Sequence, residues 1–345
     1  MRRWRIRRRP APVVAVALAL LLGLPARTPA AERVTVVGID LSDAALPAGA
    51  LAAAHRTLLE GPRSVAAFFR AISDGRLRLA GGDVRGPFAV DGSAAGSCDY
   101  EAWSDAAAAQ TGPLGDDHVV FLQPEVAACD WLGLGDQPGR TLWINGSATT
   151  RALAHELGHN LGLSHTGLLR CEHDGTRTAL SGACRRDTVD GGDPWSLMGS
   201  GKLRRLVGYQ AAQIGWLPDG RIATADHDGR FTIVPMESDR PGTKLLRVPR
   251  PGGRSLDLEF HRPHGRWAPY RPDAPVVRGV IVREAPRSLR PGTPNDTALV
   301  DARPRTATYY DAPLRPGRSL RAGHTTITVV DVGPHGATVV VSSSR

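Results

Sequence analysis

The sequence predicts an α+β region followed by an antiparallel, β-rich C-terminal domain. Three observations lead there. Strand-like and helix-like patterns alternate up to about residue 218. Prolines then crowd the remainder, with 15 of the 27 in residues 219–345, and a residue that lacks an N–H and fixes φ argues against long helices. Within the first region, residues 155–165 read HELGHNLGLSH, a helical segment with charged and ionisable groups at fixed spacing.

Residues 1–31 belong to neither region. MRRWRIRRRP is a basic leader, residues 11–24 (APVVAVALALLLGL) are a short apolar run, and PARTPAAE offers small residues for cleavage near Ala30 or Ala31. This is the pattern of a signal peptide. The run is short for a bilayer span, and no Cys follows closely to carry a lipid, so no stable membrane anchor is expected. The paired arginines are a weak hint of twin-arginine export. The leader also reshapes the charge argument. The net charge of +9 includes seven arginines and no acid from residues 1–31, so the mature chain carries about +2. The high isoelectric point is therefore poor evidence for nucleic acid as a partner. Arginine far outnumbers lysine, which occurs only at Lys202 and Lys244. With abundant Ala, Gly and Pro, this composition suggests a GC-rich bacterial source and a secreted, extracellular or periplasmic protein.

Along the chain, residues 33–40 (RVTVVGID) read as a strand that begins almost at the cleavage site, leaving no room for a conventional prodomain. Residues 63–73 place Val65, Phe68, Phe69 and Ile72 at helical spacing. Residues 76–90 alternate like a strand broken by glycines. Residues 99–110 form a helix with Asp99 as its expected cap, and 118–124 (HVVFLQP) form a buried strand entered by His118, read as structural. Residues 141–146 (TLWING) are a strand just before the HELGHNLGLSH helix, which Thr149 or Thr150 would cap.

That helix carries the chemistry. His155 and His159 are four apart, so both imidazoles lie on one face and can reach one metal ion. Leu153, Leu157 and Leu161 recur roughly opposite, as an apolar stripe for a core. Glu156 stands beside His155, placed to act as a general base on a metal-activated water. Gly162 accepts a positive φ cheaply, so the helix can end there and the chain can turn back to bring in His165 as a third ligand. Three protein ligands leave a position open, which is the pattern of a catalytic zinc site. Downstream, DPWSLMGSG (193–201) sets Met198 in a turn context.

HExxHxxGxxH with a later methionine turn is the metzincin signature. The pairing of HELGHNLGLSH with a D-x-x-S-x-M-G turn resembles the gametolysin-type branch of these zinc peptidases. KLRRLVGYQAAQIGWLPDG (202–220) resembles the helix that ends in Gly-Trp-Leu there, and LDLEFHRPHGR and RGVIVRE are more weakly similar to its C-terminal region. The resemblance implies a metzincin-like catalytic domain over residues 32–218, with a twisted sheet, an active-site helix and a Met-turn at Met198, and a β-rich domain over 219–345. It implies a secreted zinc endopeptidase with Glu156 as base. It gives Leu142–Asn145 the role of an edge strand that pairs with extended protein or peptide substrate. Astacins and serralysins place a tyrosine ligand two residues after the methionine; here that position is Ser200, so no tyrosine ligand is expected. A non-catalytic zinc-containing binding protein or adhesin is the alternative, and a hydrolase of non-peptide amides is a third reading, since the motif specifies the water rather than the substrate.

Four cysteines in an exported chain suggest two disulfides, and proximity favours Cys98–Cys129 and Cys171–Cys184. The second would close a loop between His165 and Met198 in a Gly- and Asp-rich stretch with little to pack. Asp174, Asp187, Asp190 and Asp193 could contribute to a calcium site but lack regular spacing, so a solvated acidic loop is favoured. After residue 219, short apolar runs at 231–235, 244–249, 256–260, 276–282, 326–332 and 337–342 predict the strands of a small sandwich. His261, His264, His324 and His335 read as exposed, with no common metal spacing.

Overall fold

The structure, a computed structural model, describes residues 31–344 apart from 182, 189–190 and 291–293. The signal-peptide reading of residues 1–31 thus lies outside the described residues except for Ala31, as does Asp190. In chain order the elements are β1 (Glu32–Leu41), α1 (Ala50–Leu59), α2 (Val65–Ile72), β2 (Leu79–Val90), α3 (Tyr100–Thr111), β3 (His118–Gln123), β4 (Gly133–Gly135), β5 (Thr141–Asn145) and α4 (Thr150–Asn160). There follow β6 (Thr166–His173), β7 (Thr176–Thr178), β8 (Ala183–Asp187), α5 (Gly208–Gln213), β9 (Ile222–Thr224), β10 (Gly229–Ile233), β11 (Leu245–Arg250) and β12 (Arg254–Phe260). The last are β13 (Val280–Pro286), β14 (Thr297–Val300), β15 (Arg318–Ala322), β16 (Thr325–Gly333) and β17 (Gly336–Ser343). The fold is α+β and mostly β.

The first sheet has the order β2-β1-β3-β5-β4. Its four long strands are parallel, and β4 joins β5 antiparallel. Alternate residues of β3 serve opposite faces. Val120 and Leu122 join a core with Leu58, Phe68, Phe69, Leu153 and Leu157 from α1, α2 and α4. Val119 and Phe121 join Trp103 and Ala107 of α3 on the other face. Helices α2 and α4 start where a hydroxyl accepts an orphan N–H: Ser64 Oγ from Ala67 and Thr149 Oγ1 from Ala152. Asp99 stands at the N-cap position of α3 without a capping bond.

The second sheet has eight strands, ordered β7-β6-β14-β13-β12-β11-β9 with β8 also paired to β6. A third, antiparallel sheet, β10-β17-β16-β15, packs on it through Leu246, Val248, Leu258, Ile327, Val339 and Val341. The predicted sandwich is therefore present, although β14 and β6, and β9 and β11, pair in parallel.

Strands from before and after residue 218 share one sheet: β6, which begins one residue after His165, pairs with β14 residue for residue from Thr166↔Thr297 to Leu169↔Val300. Three expectations need correction. The stretch between His165 and Met198 is accordingly not short of packing, because Leu168 and Leu169 are buried in that sheet. The helix expected over 202–220 shrinks to α5, six residues long. Strand β5 is not an edge, since β3 and β4 flank it, and the edge is β4. The short Gly-Leu-Gly of β4 carries no alternating apolar pattern that would announce a strand.

Candidate metal centre

Helix α4 is held by its leucines. Leu153 and Leu157 are fully buried, each side chain contributing roughly 1.5–3 kcal/mol by removal from water. With that face fixed, His155 and His159 point the other way. The helix stops as its sequence suggests: Gly162 has φ 86°, its N–H donates to His159 O, and Leu163 N–H donates to Gly158 O. Any L side chain at 162 would strain this turn.

The turn brings His165 back to the other two. One ligand nitrogen from each of His155, His159 and His165 lies within 4.8 Å of the others, a grouping unmatched among the described residues. His159 Nε2 and His165 Nε2 are 3.2 Å apart, close to the about 3.3 Å expected for two nitrogens at about 2.0–2.1 Å from one tetrahedral ion. The outer nitrogens are committed. His155 Nδ1 donates to Leu197 O at 2.9 Å and His159 Nδ1 to Leu163 O at 2.7 Å. A carbonyl can only accept, so these bonds fix the tautomer and leave the Nε2 lone pairs free for a metal. Burial, reinforced by the Arg151 charge, lowers His155 to about 3; burial and the neighbouring His165 lower His159 to about 4. Neutral imidazoles are the form a metal binds. On donor type, spacing and protonation, the trio fits one zinc ion.

Glu156 is buried beside them, and burial raises it to about 8 against the opposing pull of Arg151. Strand β4 crosses directly over it. A Cβ built on Gly133 would lie 2.7 Å from Glu156 Cγ, and one on Gly135 2.5 Å from Glu156 O, so this approach requires glycine. Asn145 positions the segment that delivers β4. Its amide accepts from Val126 N–H and donates to the carbonyls of Val126, Cys129 and Trp131. Leu142 and Ile144 are core residues, so the stretch assigned to substrate binding is structural.

Met198 is fully buried under α4, its Sδ 2.5 Å from where a Cβ of Gly158 would lie. Its turn is tied on every side. Leu197 O accepts from His155, Met198 O accepts Thr166 N–H, and Arg151 donates to Gly199 O and Gly201 O. Asp193 Oδ1 accepts Trp195 N–H, and Oδ2 pairs at 2.7 Å with the fully buried Arg283 of β13.

A calcium site, already the less favoured reading of these aspartates, finds no support, and Asp193 is buried rather than solvated. Asp193 is spent on Arg283, Asp187 pairs with Arg170, and Asp174 is exposed beside His173, so these carboxylates do not converge. His118 Nδ1 donates to Asn160 Oδ1 and the ring is buried, in keeping with a structural role. Both disulfides pair as proximity favours, Cys98–Cys129 and Cys171–Cys184. His261 is buried between Glu237 and Glu259 rather than exposed.

Sequence reasoning missed Asn295. Its Oδ1 accepts Ser164 N–H at 2.5 Å and its Nδ2 donates to Gly162 O at 2.7 Å, while Gln210 Nε2 donates to Ser164 O at 2.7 Å. Together they clamp the turn before His165. Nothing in the local sequence around 295 marks a contact 131 residues away.

Residues 84–224 match the family described as gametolysin peptidase M11. The match spans the three histidines, Glu156 and Met198. No curated protein matches the chain. Among solved structures, the chain is similar to wild-type OgpA from Akkermansia muciniphila, with 13% identity and a TM-score of 0.32 over 69% of this chain and 74% of that one.

Proposed function

We propose that this chain is a secreted zinc endopeptidase whose ion is held by His155, His159 and His165. The observation that carries the reading is the convergence of three imidazole nitrogens next to one buried carboxylate. The peptidase family match over the same residues supports it. When bound, the ion supplies Lewis acidity to the attacking water and to the carbonyl it attacks.

The protein's own groups supply the rest. Glu156 takes the proton of the attacking water and passes it to the leaving amine. Such a group must hold a proton between two steps, and a desolvated site makes that protonated form accessible. The Arg151 charge opposes the rise from burial and favours the carboxylate that begins the cycle. His155 and His159 keep their orientation through Leu197 O and Leu163 O. Met198 supports α4 from beneath, as a Met-turn would. The substrate backbone, in extended conformation, adds to the outer edge of β4 at Gly133–Gly135, which no described strand covers. Recognition through backbone bonds makes the site tolerant of many sequences. The two disulfides and the leader at residues 1–31 suit an exported protein. No helix among the described residues is long and apolar enough to cross a membrane.

Digestion of casein or gelatin by the purified mature protein, with and without a zinc chelator, tests the reading. Cleavage that the chelator abolishes and zinc restores is expected. A metal-loaded, folded protein that cleaves neither substrate would favour a binding protein instead.

A further inference from the structure

A second site lies at the junction of the two sheet systems, away from the histidines. A cavity of about 160 Å³ opens between the end of α2, the segment after Met198 and the start of β11. At about 10–15 Å³ per water-sized probe position, that is room for a polyatomic ligand with part of its hydration shell.

The walls of this cavity are unequal in charge and depth. Lys244 is 7% exposed, and Arg205 and Arg221 are half-buried; Arg76, Asp74 and Asp239 line the exposed rim. Asp74 is already taken up by Arg76, 3.5 Å away. Among the described residues none of the three deeper cations forms a salt bridge, although Asp74 and Asp239 act on Lys244, and Arg205 acts on Glu237, at longer range. Arg205 donates only to Ile72 O and Arg221 only to Ser238 O, each at 3.4 Å. Among the described residues, the Lys244 ammonium has no hydrogen bond or ion pair. Three cations from three separate segments thus face one small space, opposed there by the rim carboxylates Asp74 and Asp239. Such an arrangement costs free energy unless something neutralises it. Burial, with Arg221 and Arg205 adding to it, pulls the lysine below its ordinary value against the opposing charges of Asp74 and Asp239.

The charge count indicates what fits. Four cationic side chains against two carboxylates leave two positive charges, and the carboxylates sit at the rim where water screens them. We propose that the cavity is a binding site for a small tetrahedral dianion, sulfate or hydrogen phosphate, held by Lys244, Arg205 and Arg221. The bound anion joins the segment after Met198, the stretch leading into β9 and the start of β11, and so fastens the catalytic half to the β-rich half. Arginine forks and a lysine point charge are the usual partners of such oxyanions.

The test is calorimetric titration of the purified mature chain with sodium sulfate, ionic strength held constant with sodium chloride, with Tm followed in parallel. Saturable binding to one site is expected, with a Tm increase that levels off with sulfate and is not given by chloride. Lys244→Met and Arg221→Gln should each weaken binding at least about tenfold, the loss of one charge-assisted contact, while Lys244→Arg keeps most of it. If Lys244→Met does not fold, Arg221→Gln decides. A Tm that climbs with sulfate without saturating is general salting-out and overturns the site. So do unchanged affinity in a folded variant, or sodium acetate binding more tightly than sulfate.

Discussion

Asn295 grips the backbone of Ser164, the residue before His165, from a position 131 residues along the chain. Its other amide atom holds Gly162, so one side chain spans the turn that returns the third histidine. Asn295 leads into β14, and β14 pairs with β6 immediately after His165. The β-rich half is therefore part of what shapes the candidate metal centre.

Asn295→Ala should leave three histidines on a looser turn. Zinc affinity, measured by competition with a chelator, should fall by about 10–100-fold, the usual cost of losing a group that orients a ligand. Thermal stability of the metal-free protein should change far less. Unchanged affinity would show that the turn holds its shape without this clamp.

Gly133→Ala tests how closely β4 passes over Glu156. The added methyl would sit 2.7 Å from Glu156 Cγ. That neighbour is a flexible side chain, so the carboxylate must move while the fold is kept. Activity should drop by at least about tenfold with zinc stoichiometry preserved, since small displacements of a catalytic group cost orders of magnitude in rate. Zinc content and kcat on a peptide substrate are the readouts.

Asp193→Ala removes the partner of a fully buried arginine. Arg283 would keep Glu259, 3.0 Å from its Nη1, but lose its 2.7 Å bond to the methionine turn. Breaking a buried pair from one side costs about 3–5 kcal/mol. A denaturant midpoint lowered by that amount is expected, with zinc binding weakened because Leu197 O lies in the same turn.

His261 makes stability depend on pH. Burial alone would lower it, but Glu237 at 2.8 Å and Glu259 at 3.5 Å outweigh burial and raise it to about 9. Folding thus favours its charged form. The stabilisation is complete below the unfolded value of about 6.5 and is lost as pH rises through about 9. Glu237 has the opposite sign: burial would raise it, but His261 holds it below 4.5, so its contribution is lost as pH falls below that value. Tm of the metal-free protein should decline from pH 7 to 10, and His261→Gln should flatten that limb. A wild-type Tm that does not move across this range contradicts the pairing.

Much of the site was legible because its spacing is local. His155, His159, Gly162 and His165 lie within one helix and its exit turn; periodicity puts the first two on one face, and the glycine marks where the chain turns back with the third histidine. A threonine cap at Thr149 or Thr150, the Phe68–Phe69 helix and the buried strand from His118 are equally local. What escaped depends on distant pairing. Leu168 and Leu169 look like loop residues until β14 arrives beside them. Gly133–Gly135 looks like a turn until β5 turns it into an edge. Asp193 and His261 read as solvated because their partners, Arg283 and Glu237, lie 90 and 24 residues away.

The central claim is that Glu156 moves the proton at a zinc site built by three histidines. Glu156→Gln keeps the shape and removes the base. Zinc content by atomic absorption should stay at one per chain, while kcat/KM falls by about 10²–10⁴, the worth of a positioned general base. A metal-replete Glu156→Gln protein that retains activity within about threefold of the wild type would contradict the account.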